Sequence, residues 1–488
     1  MPNAIEMERY PALAESQEAT NSPLLLSTLR LDQDPPERVQ AGHAFAWVFS
    51  GWAHRPNVRL RGVTLALGDA VFIAQAPIIR IDADLPMACG FAGVVMLPPS
   101  LPSSGAPAGR VTLALSLEWD DGCCEVRSLG TLDILDAGVP APPVNREGRL
   151  VAVCMATYNP APALFRAQID SLRAQTHENW VCLIQDDGSS PECWDEIIAA
   201  TADDPRFRLA RNPVNLGFYL NFERCLTRVP PEAAFVAFAD QDDVWHLEKL
   251  AALIEPLEAG AMLAFSGMRV VTPDGSVLSN VFWPGRQGRY DHPLPLLTAN
   301  VVTGCACMFR SELLERALPF PLAGRYAFHD HWMACCAAGT GTVAYLPRLL
   351  NDYVQHGGNT LGYRRAGGRL IAKAVMALAL SPAVALAACL PAVRKRWRRI
   401  FSLLIDVAGA EYTMRAAFAE TLRQRGLLSE DPGAKAYPTG SGAKRFLIRA
   451  LLARGRQGSA YRATVLRLLA GLIAERTLRA LTLTGKRP

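Results

Sequence analysis

Short apolar runs alternate with segments of helical periodicity between residues 148 and 362. The runs 150–155, 180–184 and 235–239 contain no Gly or Pro and are typical of buried strands. Helical patterns begin near Pro162, Glu192 and Tyr219. Strands that alternate with helices predict an α/β domain with a mostly parallel, Rossmann-like sheet and right-handed crossovers.

Polar clusters follow four of the predicted strands. They occupy residues 157–159, 185–189, 215–217 and 240–243. Ligands of open α/β sheets bind at the carboxyl ends of the strands, so we expect these clusters to meet at one edge.

The acidic cluster holds Asp240, Asp242 and Asp243 directly after the 235–239 strand. A hard divalent cation that carries phosphates is the natural partner of such carboxylates. The alternative is that an acid caps the helix predicted through 247–250. We assign that capping role to Asp243 and ligand binding to the other two acids.

The segment before residue 148 has a different pattern. Residues 1–22 are expected to be a disordered lead-in, 23–136 a β-sandwich of short alternating strands, and 137–147 a Pro-stiffened linker. Trp47, Trp52 and Trp119 are candidates for a sugar-binding surface, although core packing is the favoured interpretation.

Charge separates the last part of the chain from the rest. Residues 364–488 carry 24 Lys and Arg against 6 Asp and Glu, which leaves 26 against 40 in the remainder of the chain. The uncharged run 374–390 is marginal for a membrane span and contains Pro382. We expect 363–488 to be a basic helical region that lies on an anionic membrane, with an ordinary helical domain as the alternative and no nucleic-acid partner.

The N-terminus is polar and acidic and has no signal-peptide pattern, and the twelve cysteines lack zinc-site spacing. These features predict a cytoplasmic protein, peripheral at the inner face of the plasma membrane through its basic region.

Several motifs between 150 and 362 resemble, in order, those of family 2 inverting glycosyltransferases of GT-A fold, with a bacterial rhamnosyltransferase-like branch as the nearest. They are Ala156-Thr-Tyr-Asn159, Gln185-Asp-Asp-Gly-Ser189, Asn215-Leu-Gly217, Asp240-Gln-Asp-Asp243 with Trp245, His329-Asp-His-Trp332 and Gln355-His-Gly-Gly-Asn359. The resemblance implies transfer of a sugar from a UDP- or dTDP-sugar to a hydroxyl of a glycan or lipid-linked acceptor, in bacterial surface polysaccharide synthesis.

The resemblance also implies roles for single residues. Thr157, Tyr158 and Asp187 would hold the base and ribose of the nucleotide-sugar, together with Asn215, Gly217 and Asp240. Asp242 would bind Mn²⁺ or Mg²⁺, and His356 would be a further metal ligand or a phosphate contact. Asp330 would be the catalytic base, and His329, His331, Trp332 and Gly304 would lie on the acceptor side. His329 departs from the acidic residue that many relatives have there, which leaves the local charge open.

Structural roles compete with these assignments. Asp330 could cap the helix that follows it, Asn215 and Gly217 could form only a turn, Gly304 could only allow a close backbone approach, and His356 could be a surface loop residue.

Two other functions remain open at this point. A carbohydrate-binding scaffold would bind glycan without turnover, but the intact acids argue against it. A nucleotidyltransferase would need a Gly-rich basic phosphate loop after the first strand, and residues 156–160 do not form one.

Overall fold

The computed structural model describes residues 27–40, 45–78, 89–97, 109–135, 148–282, 289–324, 326–357 and 409–428, together with 464, 465 and 468. The predicted lead-in 1–22, the linker 137–147 and the apolar run 374–390 lie outside the described residues.

The N-terminal region is built from strands, as its alternating pattern predicts. The strands are β1 (Thr28–Leu31), β2 (Arg38–Gln40), β3 (Phe45–His54), β4 (Leu60–Leu67), β5 (Ala70–Ile78), β6 (Gly90–Leu97), β7 (Arg110–Trp119) and β8 (Cys124–Leu135). They form one hydrogen-bonded path in the order β1-β3-β6-β5-β4-β7-β8-β2. The packing of these strands as the two layers of a β-sandwich stays a prediction.

Side chains on one face of these strands form a shared apolar core. Phe91, Leu65 and Leu115 are fully buried there, and Trp47 and Trp119 lie in the same core. This position supports core packing of the two tryptophans over a sugar-binding role.

Through β3, the N-terminal region contacts the α/β region that follows it in the chain. The amide of Val48 donates to the carbonyl of Leu322 at 2.8 Å, and the amide of Leu322 donates to the carbonyl of Ala46 at 2.8 Å. The side chains of Ala46 and Val48 join the core of the second region, so the two regions share apolar surface.

The second region is a sheet flanked by helices. Its strands are β9 (Val151–Thr157), β10 (Trp180–Asp186), β11 (Phe207–Arg211), β12 (Phe235–Ala239), β13 (Val244–Trp245), β14 (Leu263–Val271), β15 (Val277–Ser279), β16 (Arg289–Tyr290), β17 (Cys307–Arg310) and β18 (Val343–Val354). Its helices are α1 (Pro162–Arg173), α2 (Pro191–Thr201), α3 (Phe218–Leu226), α4 (Lys249–Glu258), α5 (Pro293–Thr298), α6 (Leu314–Ala317) and α7 (His329–Thr340), with 3-10 turns at Gly304–Ala306 and Ser311–Leu313.

The sheet is parallel in one half and mixed in the other. The order is β11-β10-β9-β12-β17-β14-β18-β13, and the first four strands are mutually parallel. β17 runs antiparallel to both of its neighbours, so the expectation of a mostly parallel sheet holds only for the first half. The chain enters β17 from a 3-10 turn rather than from a crossover helix, and an antiparallel strand needs no crossover.

Apolar residues of both faces of the sheet are buried, which explains why its strands are continuous apolar runs. Val151 and Val153 of β9 face the core formed with α1, α2 and α4, whereas Ala152 and Cys154 face the core formed with α3 and α7. A strand buried on both faces cannot alternate apolar and polar side chains.

A helix over residues 409–424 packs on α7. The Phe418 ring lies 5.0 Å from the Trp332 ring, and the guanidinium of Arg425 donates to the carbonyls of Ala317 at 2.8 Å and Pro319 at 2.6 Å. None of the helices in these described ranges has the length and apolar character to cross a membrane.

The chain after the acidic cluster differs from the expected helix start. Val244–Trp245 is a strand that pairs with β18, and α4 begins only at Lys249, with Glu248 at its N-cap. The capping role that we assigned to Asp243 is therefore wrong, because Asp243 lies too far before the helix.

Candidate active site

A cleft of about 580 Å³ opens at the carboxyl ends of β9, β10 and β12. The predicted site residues that line it are Thr157, Tyr158, Asp187, Asn215, Gly217, Asp240, Asp242, Gly304, His329, Asp330 and His331. The convergence of the four polar clusters at one edge of the sheet is thus observed.

Side-chain hydrogen bonds join the loops after β9, β10 and β12. The amide of Tyr158 donates to Oε1 of Gln241 at 2.8 Å, and Nε2 of Gln241 donates back to the carbonyl of Tyr158 at 3.2 Å. The hydroxyl of Thr157 donates to the buried carboxylate of Asp186 at 3.1 Å. These contacts fix the loop that carries Tyr158, whose side chain is exposed.

The carboxylate of Asp187 holds the turn that precedes α3. Its Oδ1 accepts from the amide of Leu216 and its Oδ2 from the amide of Gly217, both at 2.8 Å. Asn212 donates to Oδ1 as well, at 2.8 Å. Each carboxylate oxygen accepts about two hydrogen bonds, so Oδ2 retains a lone pair for an N–H or O–H group in the cleft.

Asn215 and Gly217 have structural roles at this turn. Nδ2 of Asn215 donates to the carbonyl of Asp187 at 3.1 Å, and Gly217 has φ of 79° at the N-cap of α3. A side chain at Gly217 would be strained by that backbone conformation. Both residues line the cleft, and their contact with a nucleotide stays a prediction.

His356 meets the acidic cluster from the end of β18. Its Nε2 lies 2.6 Å from Oδ2 of Asp242, and both side chains are partly buried. His356 is therefore not an isolated loop residue, although it does not line the cleft itself.

Burial and mutual repulsion disfavour charge on these acids. Burial, followed by the charges of Asp243, Asp242 and Asp330, raises the pKa of Asp240 well above its usual range. Burial and the charge of Asp242 raise the pKa of Asp243 to about 7.

A buried lysine lies beneath the same acids. Nζ of Lys249 donates to the carbonyl of Cys305 and lies 3.6 Å from the centre of the Trp245 ring. Burial lowers the pKa of Lys249 to about 8. The single positive charge of Lys249 cannot neutralise the carboxylates of this cluster, so the cluster can bind an additional cation.

The donor atoms of this cluster fit a hard divalent metal. Asp240 and Asp242 offer carboxylate oxygens, and His356 offers an imidazole nitrogen next to one of them. Asp240, Asp243 and Cys305 also place one donor atom each within 4.8 Å of one another. Burial raises the pKa of the Cys305 thiol well above its usual range, and a neutral thiol is a poor ligand for Mg²⁺ or Mn²⁺.

Asp330 lies in the first turn of α7 and lines the same cleft as Asp240 and Asp242. Its Oδ2 accepts from the amide of Gly304 at 2.9 Å, and its Oδ1 accepts from Nδ2 of Asn300 at 3.1 Å. Burial raises the pKa of Asp330 to about 6, although these donors favour its charged form. The N-cap of α7 is Phe328, so Asp330 is not the cap of this helix.

His329 is packed as an aromatic ring. It stacks on Phe222 with ring centres 3.7 Å apart, and neither ring nitrogen has a hydrogen-bond partner within the described residues. A Cβ atom at Gly304 would lie 2.6 Å from Nε2 of His329. Burial lowers the pKa of His329 to about 3, which favours a neutral ring at this position.

Trp332 does not belong to the acceptor side, and that prediction is wrong. Its side chain is fully buried, and its Nε1 donates to the carbonyl of Ala317 at 2.8 Å. One residue before it, His331 borders the cleft, but its Nε2 lies 2.9 Å from the carbonyl of Leu296. Helical geometry directs Trp332 away from the face that carries Asp330.

Asn300, Glu411 and Arg415 are among the residues of the cleft wall that have no role in the sequence-based site. Asn300 positions Asp330, while Glu411 and Arg415 enter the wall from the helix 409–424. Arg415 is buried in this wall, so this one basic residue of the region 363–488 is not available to a membrane surface. The signal in the sequence is a Glu and an Arg four residues apart on an otherwise apolar helix face.

The comparison with protein families agrees with this geometry. Residues 152–318 match the family model of Glycosyl transferase family 2. Over these residues, about a third of its length, the chain contains a domain of glycosyl transferase family 2. The rhamnosyltransferase-like branch stays a prediction.

Individual proteins also resemble part of this chain. TuaG of Bacillus subtilis, a glycosyltransferase provisionally assigned to teichuronic acid biosynthesis, is 27% identical over 157 residues, which are 32% of this chain and 60% of TuaG. WfgD of Escherichia coli, a UDP-Glc:alpha-D-GlcNAc-diphosphoundecaprenol beta-1,3-glucosyltransferase, is 25% identical over 174 residues, which are 36% of this chain and 63% of WfgD. The chain thus spans about three fifths of the length of these two relatives.

Among solved structures, the S. aureus TarS fragment 1–349 in complex with UDP-GlcNAc is similar to 68% of this chain and 91% of its own length. Its sequence identity is 15% and its TM-score is 0.38.

Proposed function

We propose that this protein transfers a sugar, with inversion, from a nucleotide-diphospho-sugar to a hydroxyl group of a glycan or lipid-linked acceptor. The observation that carries the proposal is that Asp330 lines the same cleft as the acids Asp240 and Asp242. An inverting transfer needs a base on the acceptor side and an electrophile at the leaving phosphates.

In the proposed reaction, Asp330 accepts the proton of the acceptor hydroxyl. The acceptor oxygen then forms a bond to the anomeric carbon, and the bond from that carbon to the diphosphate oxygen breaks. The electron pair of the broken bond stays on the nucleoside diphosphate. The donors on Gly304 and Asn300 hold the carboxylate of Asp330 in one orientation for this step.

On the donor side, Thr157, Tyr158 and Asp187 would contact the base and ribose of a UDP- or dTDP-sugar. Asp242, Asp240 and His356 would hold a Mn²⁺ or Mg²⁺ ion. When bound, such an ion neutralises the charge that develops on the leaving diphosphate.

The cellular setting is part of the proposal. TuaG and WfgD are named for teichuronic acid synthesis and for transfer to a diphosphoundecaprenol acceptor. We infer that this protein also acts in surface polysaccharide synthesis, at the cytoplasmic face of the membrane. The basic region 364–488 would provide the attachment to anionic lipids.

The test is a turnover assay of the purified protein against a panel of UDP- and dTDP-sugars, with and without Mn²⁺. Asp330→Asn should reduce transfer by about 10²- to 10⁴-fold, because the base is lost, and nucleotide-sugar binding should survive.

Asp274→Asn is the matched control, since Asp274 lies in an exposed turn outside the cleft. Unimpaired transfer by Asp330→Asn would contradict the base assignment. Glycan binding without turnover across the whole panel would favour the carbohydrate-binding scaffold instead.

A further inference from the structure

Arg415 is a buried arginine whose guanidinium is only partly used by the fold. Its side chain is 7% exposed. Nε donates to the carbonyl of Thr298 at 3.1 Å, and Nη1 donates to the carbonyl of Glu411 at 2.9 Å and to its Oε2 at 3.3 Å. Nη2, which carries two donor hydrogens, makes no hydrogen bond to any described residue.

The unused nitrogen belongs to a residue of the cleft wall. Glu411 and Arg415 line the same cleft as Asp330 and the acids of the donor side. Nε and Nη1 make the three hydrogen bonds that hold the guanidinium in place, which leaves Nη2, the third nitrogen, for a ligand in the cleft.

The position of Arg415 connects it to the acceptor side. Thr298, which accepts from Arg415, is two residues before Asn300, which donates to Asp330. Two residues of extended chain span at most about 7 Å. The backbones of Thr298 and Asn300 are therefore separated by no more than roughly the width of one sugar ring. Arg415 therefore lies near Asp330.

The charges of the cleft favour a neutral ligand at this point. Arg415 is the only Lys or Arg among the described residues that line the cleft, and Glu411 accompanies it. The other lining groups include Asp187, Asp240, Asp242 and Asp330. On the acceptor side an anionic group would lie close to the carboxylate of Asp330, whereas a sugar hydroxyl can accept from a guanidinium without carrying charge.

We propose that the helix 409–424 provides an acceptor subsite, in which Nη2 of Arg415 donates a hydrogen bond to a hydroxyl oxygen of a neutral acceptor sugar. Glu411 holds the guanidinium in position and balances its charge. The inference rests on the proposed function, because it names the acceptor of the same cleft.

The test measures binding rather than turnover. Saturation-transfer NMR would record the binding of neutral methyl glycosides and of glycosyl phosphates at millimolar concentration to the wild-type protein and to Arg415→Lys. The lysine retains the charge but loses the fork of donors. We expect neutral glycosides to bind the wild type and their affinity to fall by about 10- to 100-fold in Arg415→Lys.

Arg423→Lys is the matched control, because Arg423 pairs with Glu420 on the same helix and does not line the cleft. It should bind neutral glycosides as the wild type does. Titration with UDP and Mn²⁺ checks the donor half of the cleft and should give the same affinity in all three proteins.

A second variant tests the charge argument on its own. Glu411→Gln keeps an acceptor oxygen for Nη1 but removes the balancing charge, so binding of glycosyl phosphates should increase relative to that of neutral glycosides. The binding measurement on Glu411→Gln tests the subsite even if Arg415→Lys does not fold.

Three results would overturn the subsite. They are unchanged glycoside binding in Arg415→Lys, equal loss in Arg423→Lys, and a wild-type preference for glycosyl phosphates over neutral glycosides. The protein could bind glycosides through Arg415 and yet transfer no sugar. That result would overturn the proposed function but would still support the subsite.

Discussion

Nε2 of His356 lies 2.6 Å from Oδ2 of Asp242, although 114 residues separate them in the sequence. The contact joins the end of β18 to the acidic cluster after β12. It brings an imidazole to the carboxylate that we propose as a metal ligand.

Replacing either member of this pair should weaken metal binding. We expect Asp242→Asn and His356→Gln to lower the affinity for Mn²⁺ by about 10- to 100-fold, since each removes a donor that the cation needs. Titration calorimetry or the electron paramagnetic resonance signal of free Mn²⁺ would measure the change without an activity assay. Asp195→Asn, at an exposed position of α2, should bind Mn²⁺ normally. Normal Mn²⁺ affinity in both Asp242→Asn and His356→Gln would refute the assignment.

The rate of transfer should fall in acid with the protonation of Asp330. Its pKa is raised to about 6, and only the deprotonated carboxylate can accept a proton. Below that pH we expect kcat/KM to fall about tenfold per pH unit. Asn300→Ala removes one donor to the carboxylate, so the acidic limb should move to higher pH. A limb that moves to lower pH, or a flat profile, would exclude this role.

Acid should also destabilise the fold through two buried histidines. Burial lowers the pKa of His329 and His331 to about 3, whereas an unfolded histidine titrates near 6.5. Below that pH the unfolded state binds more protons, so each histidine should lower the free energy of unfolding by about 1.4 kcal/mol per pH unit until its folded pKa is reached.

Urea unfolding between neutral pH and about pH 5 would measure this slope. His331→Gln should remove the contribution of one histidine, because its amide can still donate to the carbonyl of Leu296 but does not titrate. Equal slopes in the wild type and in His331→Gln would count against a buried neutral ring at this position.

Gly304→Ala should damage both stability and the site. The new Cβ would lie 2.6 Å from Nε2 of His329, a buried ring that cannot move away easily. We expect a loss of about 1–3 kcal/mol in the free energy of unfolding, together with a weakened contact from Gly304 to Asp330. Thermal or urea unfolding would record the loss. Gly148→Ala is the control, because the nearest atom to its Cβ would be 4.0 Å away, and an equal loss there would point to a general effect.

Local patterns predicted the first half of the sheet well. β12 occupies 235–239 in both the sequence-based prediction and the structure, because an apolar run that ends at an acid leaves little choice of boundary. The antiparallel β17 was not predicted, since the direction of a strand depends on the connection before it and not on its own residues.

The site was predictable where its residues follow strands and not where they come from distant segments. Thr157, Asp187 and Asp240 could be placed together because parallel strands end at one edge. Arg415 belongs to a region with a large excess of basic residues, and the packing of Phe418 and Leu422 in the core that includes α7 turns it inward. A pattern of charge cannot distinguish a buried arginine with a partner from a solvated one.

Gly339 of α7 has no room for a side chain, because a Cβ atom there would collide with the carbonyl of Leu427. Two segments far apart in the sequence have therefore been fitted to each other at backbone distance. Anyone who exchanges this transferase domain between homologues to change its specificity should move residues 409–428 with it. A junction near residue 362 would combine α7 of one parent with residues 409–428 of the other. The two segments would then pack poorly against each other, beside the part of the cleft where we expect the acceptor to bind.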